Sequence, residues 1–311
     1  MTSDSAHFAV TKGAGGRRRS NFNVAPWLCL LPALALIGLV LFAPLALGVF
    51  QAFIGSTPDD PFSPGGFVGL ANFQALIADG GFARVAGNTL FWTLTTLLIQ
   101  STLGLILALA LHGKSRLLKC LQPILFLPWA IPSILVGLFW EELFNPGTSV
   151  LPGLLVSAGL LRQPSDMLAE PAVAIWGPIV AYVWIGVPFF AITCLAALQT
   201  IPQELYEAKE LDGASAWEQF CSITLPLIAP MFLTAILLRT AWIANFGDLI
   251  WVMTQGGPAG ATQIVPTYIY TKAFVELDEG GAAAAALVQV FVLLAYSIVI
   301  LRFRRKLGRL G

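Results

Sequence analysis

Charge is scarce in this sequence. Of 311 residues only 11% are Asp, Glu, Lys or Arg against 57% hydrophobic, and mean hydropathy is +0.79. A soluble domain carries roughly 25% charged residues, so this composition points to a chain that lives in a bilayer. The two signs balance at 17 each, and no basic excess signals nucleic-acid binding. Histidine occurs only as His7 and His112. The four cysteines, Cys29, Cys120, Cys194 and Cys221, have neither C-x-x-C spacing nor histidine partners. That pattern supports no zinc site and no disulfide framework, so no metal or resident cofactor is expected and the cysteines read as inert packing residues.

Catalytic groupings are also missing. Glu141, Glu142 and Asp248 sit near the ends of apolar runs, yet no nucleophile elbow or histidine accompanies them, which leaves a membrane-embedded enzyme poorly supported. The stretch His112-Gly113-Lys114-Ser115 imitates part of a phosphate loop. The Gly required five residues before Gly113 is Ala108, however, so no cradle of backbone N–H groups forms. Lys114 and Arg116 read instead as topology charges, and no ATPase site is expected in this chain.

What the sequence has is long apolar runs. Six are long enough to cross a bilayer, given about 20 residues per spanning helix. They lie near 27–53, 88–112, 121–143, 172–198, 225–253 and 282–303. The first follows Arg17-Arg18-Arg19 but is too long for a signal-peptide core and lacks a small-x-small cleavage site, so it reads as a retained helix. Pro32, Pro44, Pro128, Pro132, Pro178, Pro188 and Pro230 recur at or within these runs, as membrane helices tolerate where neighbours re-satisfy the freed backbone groups. The fold class is therefore all-α, a polytopic bundle of six spans.

Lys and Arg choose the orientation. With the N-terminus inside, cytoplasmic segments hold Lys12 and Arg17–Arg19, then Lys114, Arg116 and Lys119, then Lys209, then Arg302, Arg304, Arg305, Lys306 and Arg309. These are thirteen of the seventeen basic residues, while the outer loops hold Arg84, Arg162 and Lys272. The positive-inside rule then places both termini in the cytoplasm. The resulting plan is a cytoplasmic tail over 1–24, a first span and outer loop over 25–87, a five-span core over 88–303, and a basic cytoplasmic end over 304–311. The outer segment 54–87, rich in Gly, Pro and Asp, is expected to be a loop with a short helix near 71–79.

One polar interruption stands out on the inner side, over 203–222. Glu204, Glu207 and Glu210 fall three apart, Leu205, Ala208, Leu211 and Ala214 supply an apolar face, and Gly213 breaks the pattern after Asp212. A short amphipathic helical hairpin fits this spacing. Periodicity alone leaves open whether it docks on a partner or is an ordinary solvated loop.

Residues here resemble a known family. Glu207-Ala208, Gly213 six residues after the Glu, Ile223 ten after the Gly, and Leu225-Pro226 are similar to the EAA loop of ATP-binding-cassette importer permeases, with Lys209 where the motif's third position has Ala. The stretches "GLANFQALIADGGFARVAGNTLFWT" (69–93) and "TQGGPAGATQIVPTYIYTKAF" (254–274), with W-x-G-x-P at Trp184, Gly186 and Pro188, resemble carbohydrate-uptake permeases of the maltose and glycerol-phosphate type.

The likeness runs over nearly the whole chain from about residue 27 and implies a type I importer permease. Helix 27–53 would wrap the outside of the core. The loop would act as a coupling helix through Glu207, Ala208, Asp212 and Gly213, seated in a cleft of an ATPase subunit. The implied partners are a second permease, two ATP-binding subunits that move the helix bundles as rigid bodies, an extracytoplasmic solute-binding protein, a sugar-type solute and the lipid of a bacterial inner membrane. A secondary transporter or channel is the competing reading, and it needs no ATPase-docking hairpin.

Helical spacing marks a candidate solute face. Tyr182, Gly186 and Phe189 share one side of the fourth span, and Arg239, Trp242, Ile243 and Phe246 repeat that pattern on the fifth. The resemblance places both sets at sugar-contacting positions, with Gly186 leaving room beside the rings. The other readings are that the aromatics simply pack helices or form an interfacial belt. Arg239 is the most informative member, because a charge at membrane depth costs roughly 2.5–3.5 kcal/mol on insertion scales unless it finds water, a partner or a ligand. Sugar hydroxyls, an anionic group, Asp248 or a residue of the second permease are its candidate partners.

Overall fold

A computed structural model describes residues 25–55, 65–113, 116–159 and 167–307. The tail 1–24 with its Arg triplet, Lys114, Arg162 and residues 308–311 lie outside the described residues. The chain divides into two units, 1–47 and 48–311.

The first unit holds α1 (Ala25–Ile37), a π-type turn over Gly38–Phe42 and the start of α2 (Ala43–Gln51). Together they supply an apolar span of 23 residues, Cys29–Gln51.

The second unit begins with a turn closed against residues 65–68, where the N–H of Val68 donates to the Phe53 carbonyl at 2.9 Å. The expected short helix is α3 (Ala71–Ala78), anchored by Asn72, whose amide donates to the carbonyls of Ala52 and Ile54 at 2.9 and 2.8 Å. The second span starts earlier than the apolar run indicates. α4 runs Gly80–His112, with the Asp79 carboxylate capping the N–H of Gly81 at 2.8 Å and so starting the helix ahead of the apolar run.

The expected third span is not a straight helix. α5 (Arg116–Ala130) and α6 (Ser133–Phe144) meet at an angle of 101°. Pro132 disfavours helical geometry at Ile131 and is itself extended (φ −55°, ψ 132°), so the helix ends and restarts. After α7 (Leu151–Ser157) comes α8 (Trp176–Leu198), the most buried span. Pro188 within it leaves the Trp184 carbonyl without its usual helical donor.

α9 (Gln203–Leu211) and α10 (Ala216–Gln219) form the hairpin. α10 continues through a π-type turn over Phe220–Thr224 into α11 (Leu225–Ala244), so the expected fifth span begins within the loop and stops at Ala244. The rest of that apolar run is a separate helix, α12 (Asp248–Thr254), followed by α13 (Val265–Tyr270) and α14 (Glu279–Leu307).

Small residues let these helices close up. At Gly104 an added Cβ would overlap the Cβ of Phe190 and crowd the α8 backbone, so α4 and α8 approach as only glycine permits. Trp92, Ile179, Tyr182, Ile185, Ile243, Leu249 and Ile250 belong to the main core, and Ala108, Leu111, Cys194, Leu198 and Ile228 to a second cluster. Of the cysteines only Cys194 is buried. Cys29, Cys120 and Cys221 are exposed, which corrects their reading as packing residues.

The two ends of the bundle are distinct. His112, Leu198, Tyr206 and Thr224 line one cavity of about 550 Å³, putting the hairpin at the end where α4 and α8 finish. At the opposite end Asn88 donates to the carbonyls of Gly260, Ala261 and Gln263 at 3.1, 3.3 and 3.1 Å, tying α4 to the loop before α13.

Candidate functional site

The hairpin is built by local capping. Asp212 ends α9 and Gly213 follows with φ +77°, so the Gly213 N–H donates to Glu210 and the Ala214 N–H to Lys209, at 3.0 and 3.1 Å. This pair of bonds is a Schellman closure, which calls for a left-handed residue after the helix. Ser215 and Glu218 cap the next helix reciprocally, at 2.7 Å from the Ser215 N–H to the carboxylate.

Tyr206 of the coupling segment reaches inward, sharing a 2.8 Å hydroxyl hydrogen bond with Thr224 at the foot of α11. Glu204, Glu207, Ala208, Glu210, Asp212 and Gly213 are all exposed. The expected apolar face is not packed on this chain, since Leu205 is 42% and Leu211 91% exposed. Leu211 in particular stands clear of the described residues and leaves apolar surface exposed at the hairpin.

The second grouping lies at mid-span between α4, α8 and α11. Arg239 is buried, 3% exposed, and its Nε donates to Gln100 Oε1 at 2.8 Å. Its guanidinium carbon stands 5.0, 5.7 and 5.9 Å from the ring centres of Tyr182, Phe189 and Trp242, a cation–π cage from two helices. Nη2 is buried without a hydrogen-bond partner among the described residues. Tyr182 stacks on Phe246 at 4.6 Å, and Phe189 packs against Trp242 at 5.4 Å. A cavity of about 490 Å³ opens beside them, lined by Tyr182, Arg239, Trp242 and Phe246 together with Trp129, Ser133 and Asn245.

Most of the residues expected on the face thus come together, with two differences. Ile243 is fully buried in the core and does not line the cavity, and its backbone carbonyl accepts the Trp92 indole N–H at 3.0 Å. Gly186 leaves no room for a solute. An added Cβ there would overlap the Gln100 carboxamide and the Arg239 guanidinium, so the space belongs to the chain's own side chains.

Asp248 is not the partner of Arg239, because its carboxylate accepts the Tyr270 hydroxyl at 3.0 Å. The ion pairs found among the described residues run from Lys272, to Glu276 at 2.6 Å and to Asp278 at 3.8 Å. Sequence reasoning missed Gln100, a fully buried amide in the second span. Its polarity within an apolar run was the available signal. No cluster of metal-ligating side chains occurs among the described residues.

Apolar spans, an exposed capped hairpin at one end and a lined cavity at mid-span define a multi-pass membrane permease. Residues 100–309 match the model of the binding-protein-dependent transport system inner membrane component, and the chain belongs to that family. It is a transport subunit of an inner membrane, and the ATPase sites of such systems are not in the permease.

It is 34% identical over 284 residues to the trehalose/maltose transport system permease protein MalF of Thermococcus litoralis, covering 90% of this chain and 94% of that one. A crystal structure of a bacterial ABC transporter involved in import of the acidic polysaccharide alginate aligns with TM-score 0.76 at 26% identity, covering 91% of this chain and 95% of the other. A further structure, of the bacterial alginate ABC transporter in complex with an alginate pentasaccharide-bound periplasmic protein, aligns with TM-score 0.75 at 26% identity, covering 92% and 94%.

Proposed function

We propose that this chain, paired with a second permease of the same kind, forms the path by which a sugar or sugar derivative crosses the bacterial inner membrane. An extracytoplasmic binding protein delivers the solute, and two ATP-binding subunits drive the cycle through the 203–222 hairpin. On this reading both termini face the cytoplasm, which is supported by the thirteen of seventeen basic residues that fall in the inner segments of the sequence. The observation that carries this reading is the Arg239 cage, a buried cation faced by three aromatic rings beside a 490 Å³ cavity. Aromatic faces cover the apolar faces of sugar rings, while a guanidinium donates to hydroxyls. The trehalose/maltose and alginate importers among its relatives support a carbohydrate-type cargo.

The test is uptake by the reconstituted four-subunit complex with its binding protein, using maltose, trehalose and an alginate oligosaccharide as probes. Arg239→Ala and Trp242→Ala are expected to lower uptake at least tenfold, as roughly 1.4 kcal/mol of lost solute interaction does, while the complex still assembles. Unchanged uptake in both, at normal subunit levels, removes this face from the path.

A further inference from the structure

Gln100 sits in the middle of the 33-residue α4 and is fully buried. A carboxamide at that depth is costly unless both ends find partners. Here both do. Oε1 accepts from Arg239 Nε at 2.8 Å, and Nε2 donates to the Tyr182 carbonyl at 2.7 Å. The two bonds set the amide's orientation, since the flipped form would point donor at donor and acceptor at acceptor. They also join three helices, α4, α8 and α11, at one point. Gly186 is the complement of this arrangement, because any side chain there would occupy the volume that Gln100 and Arg239 share.

An unpinned arginine has many rotamers and a flexible stem, and in a membrane it extends toward the nearest water. The bond to Nε removes that freedom while leaving both amino groups of the guanidinium to other partners. It holds the cation plane against Tyr182, Phe189 and Trp242, the rings of the candidate path.

We propose that Gln100 is a positioning residue for the solute-facing cation: by holding the Nε edge of Arg239 in space that Gly186 leaves bare, it sets the affinity of the path for its solute. The proposal rests on the pathway reading above and goes beyond it in assigning a role to a residue outside the aromatic face.

The experiment uses the full complex in proteoliposomes, with uptake of maltose, trehalose and an alginate oligosaccharide measured against concentration. Gln100→Met keeps length and volume and removes the strong acceptor. It is expected to raise the half-saturating concentration by about tenfold with the maximal rate within about twofold, the pattern of lost binding rather than lost turnover. Gln100→Glu retains an acceptor for Nε while giving up the donor to the Tyr182 carbonyl, and is expected to leave half-saturation closer to the parent than Gln100→Met does. In an Arg239→Ala background Gln100→Met should add nothing further, because the group it positions is gone.

A wild-type half-saturation in Gln100→Met, an independent effect in the Arg239→Ala background, or failure of Gln100→Met to assemble overturns the proposal and leaves the pathway standing. A silent Arg239→Ala with an impaired Trp242→Ala overturns the proposal alone, whereas no effect of either variant, or uptake of none of the probes, overturns both.

Discussion

Gly213 offers a perturbation whose mechanism can be separated by a short series of substitutions. It closes α9 with φ +77°, a conformation that costs an ordinary L-residue about 1–2 kcal/mol. An added Cβ meets nothing within 4 Å among the described residues, so an alanine there is not crowded by them. Backbone strain alone and strain with partner contact predict different orders.

If backbone geometry alone matters, Asn, which visits the left-handed region readily, is tolerated and Ala is intermediate. A strain of about 1–2 kcal/mol lowers the population of the intact closure by roughly 5–30-fold. Val, β-branched, is worst. If a partner surface also packs against this turn, Asn fails along with Val while Ala is the mildest. In both cases Gly213→Val should abolish solute-stimulated ATPase in the reconstituted complex, with the permease still inserted and present at normal levels. Full coupling in Gly213→Val would refute the reasoning, because neither strain nor contact at this turn would then matter to the cycle.

Other outcomes are equally open to measurement. In a background with the exposed Cys29, Cys120 and Cys221 replaced, a membrane-impermeant thiol reagent applied from outside should label a cysteine placed at Gly260 and spare one placed at Ser215; the opposite pattern inverts the topology. Gly186→Ala should displace the Gln100–Arg239 bond and weaken uptake about tenfold without loss of assembly, since the overlapping atoms belong to side-chain ends that can move. Gly104→Ala, which drives a Cβ into Phe190 and the α8 backbone, should instead lower the thermal stability of the subunit.

Local chemistry makes much of this protein legible in its sequence. Apolar run length marks the spans, and the Asp212-Gly213 pair marks a helix stop that the Schellman closure confirms. Those features depend on residues adjacent in the chain or one turn apart, which is the range over which periodicity and capping act. Tertiary contact decides the rest. Nothing near Gln100 in the sequence indicates that its partners lie 82 and 139 residues away. Gly186 reads as an opening for a ligand because its neighbours from α4 and α11 are invisible in its own helix.

Ile243 shares a helical stripe with Arg239 and Trp242, yet it turns into the core, where the Trp92 indole takes its carbonyl. Helical phase determines which side chains share a face. What covers each part of that face is fixed by the neighbouring helices, whose contacts come from distant segments.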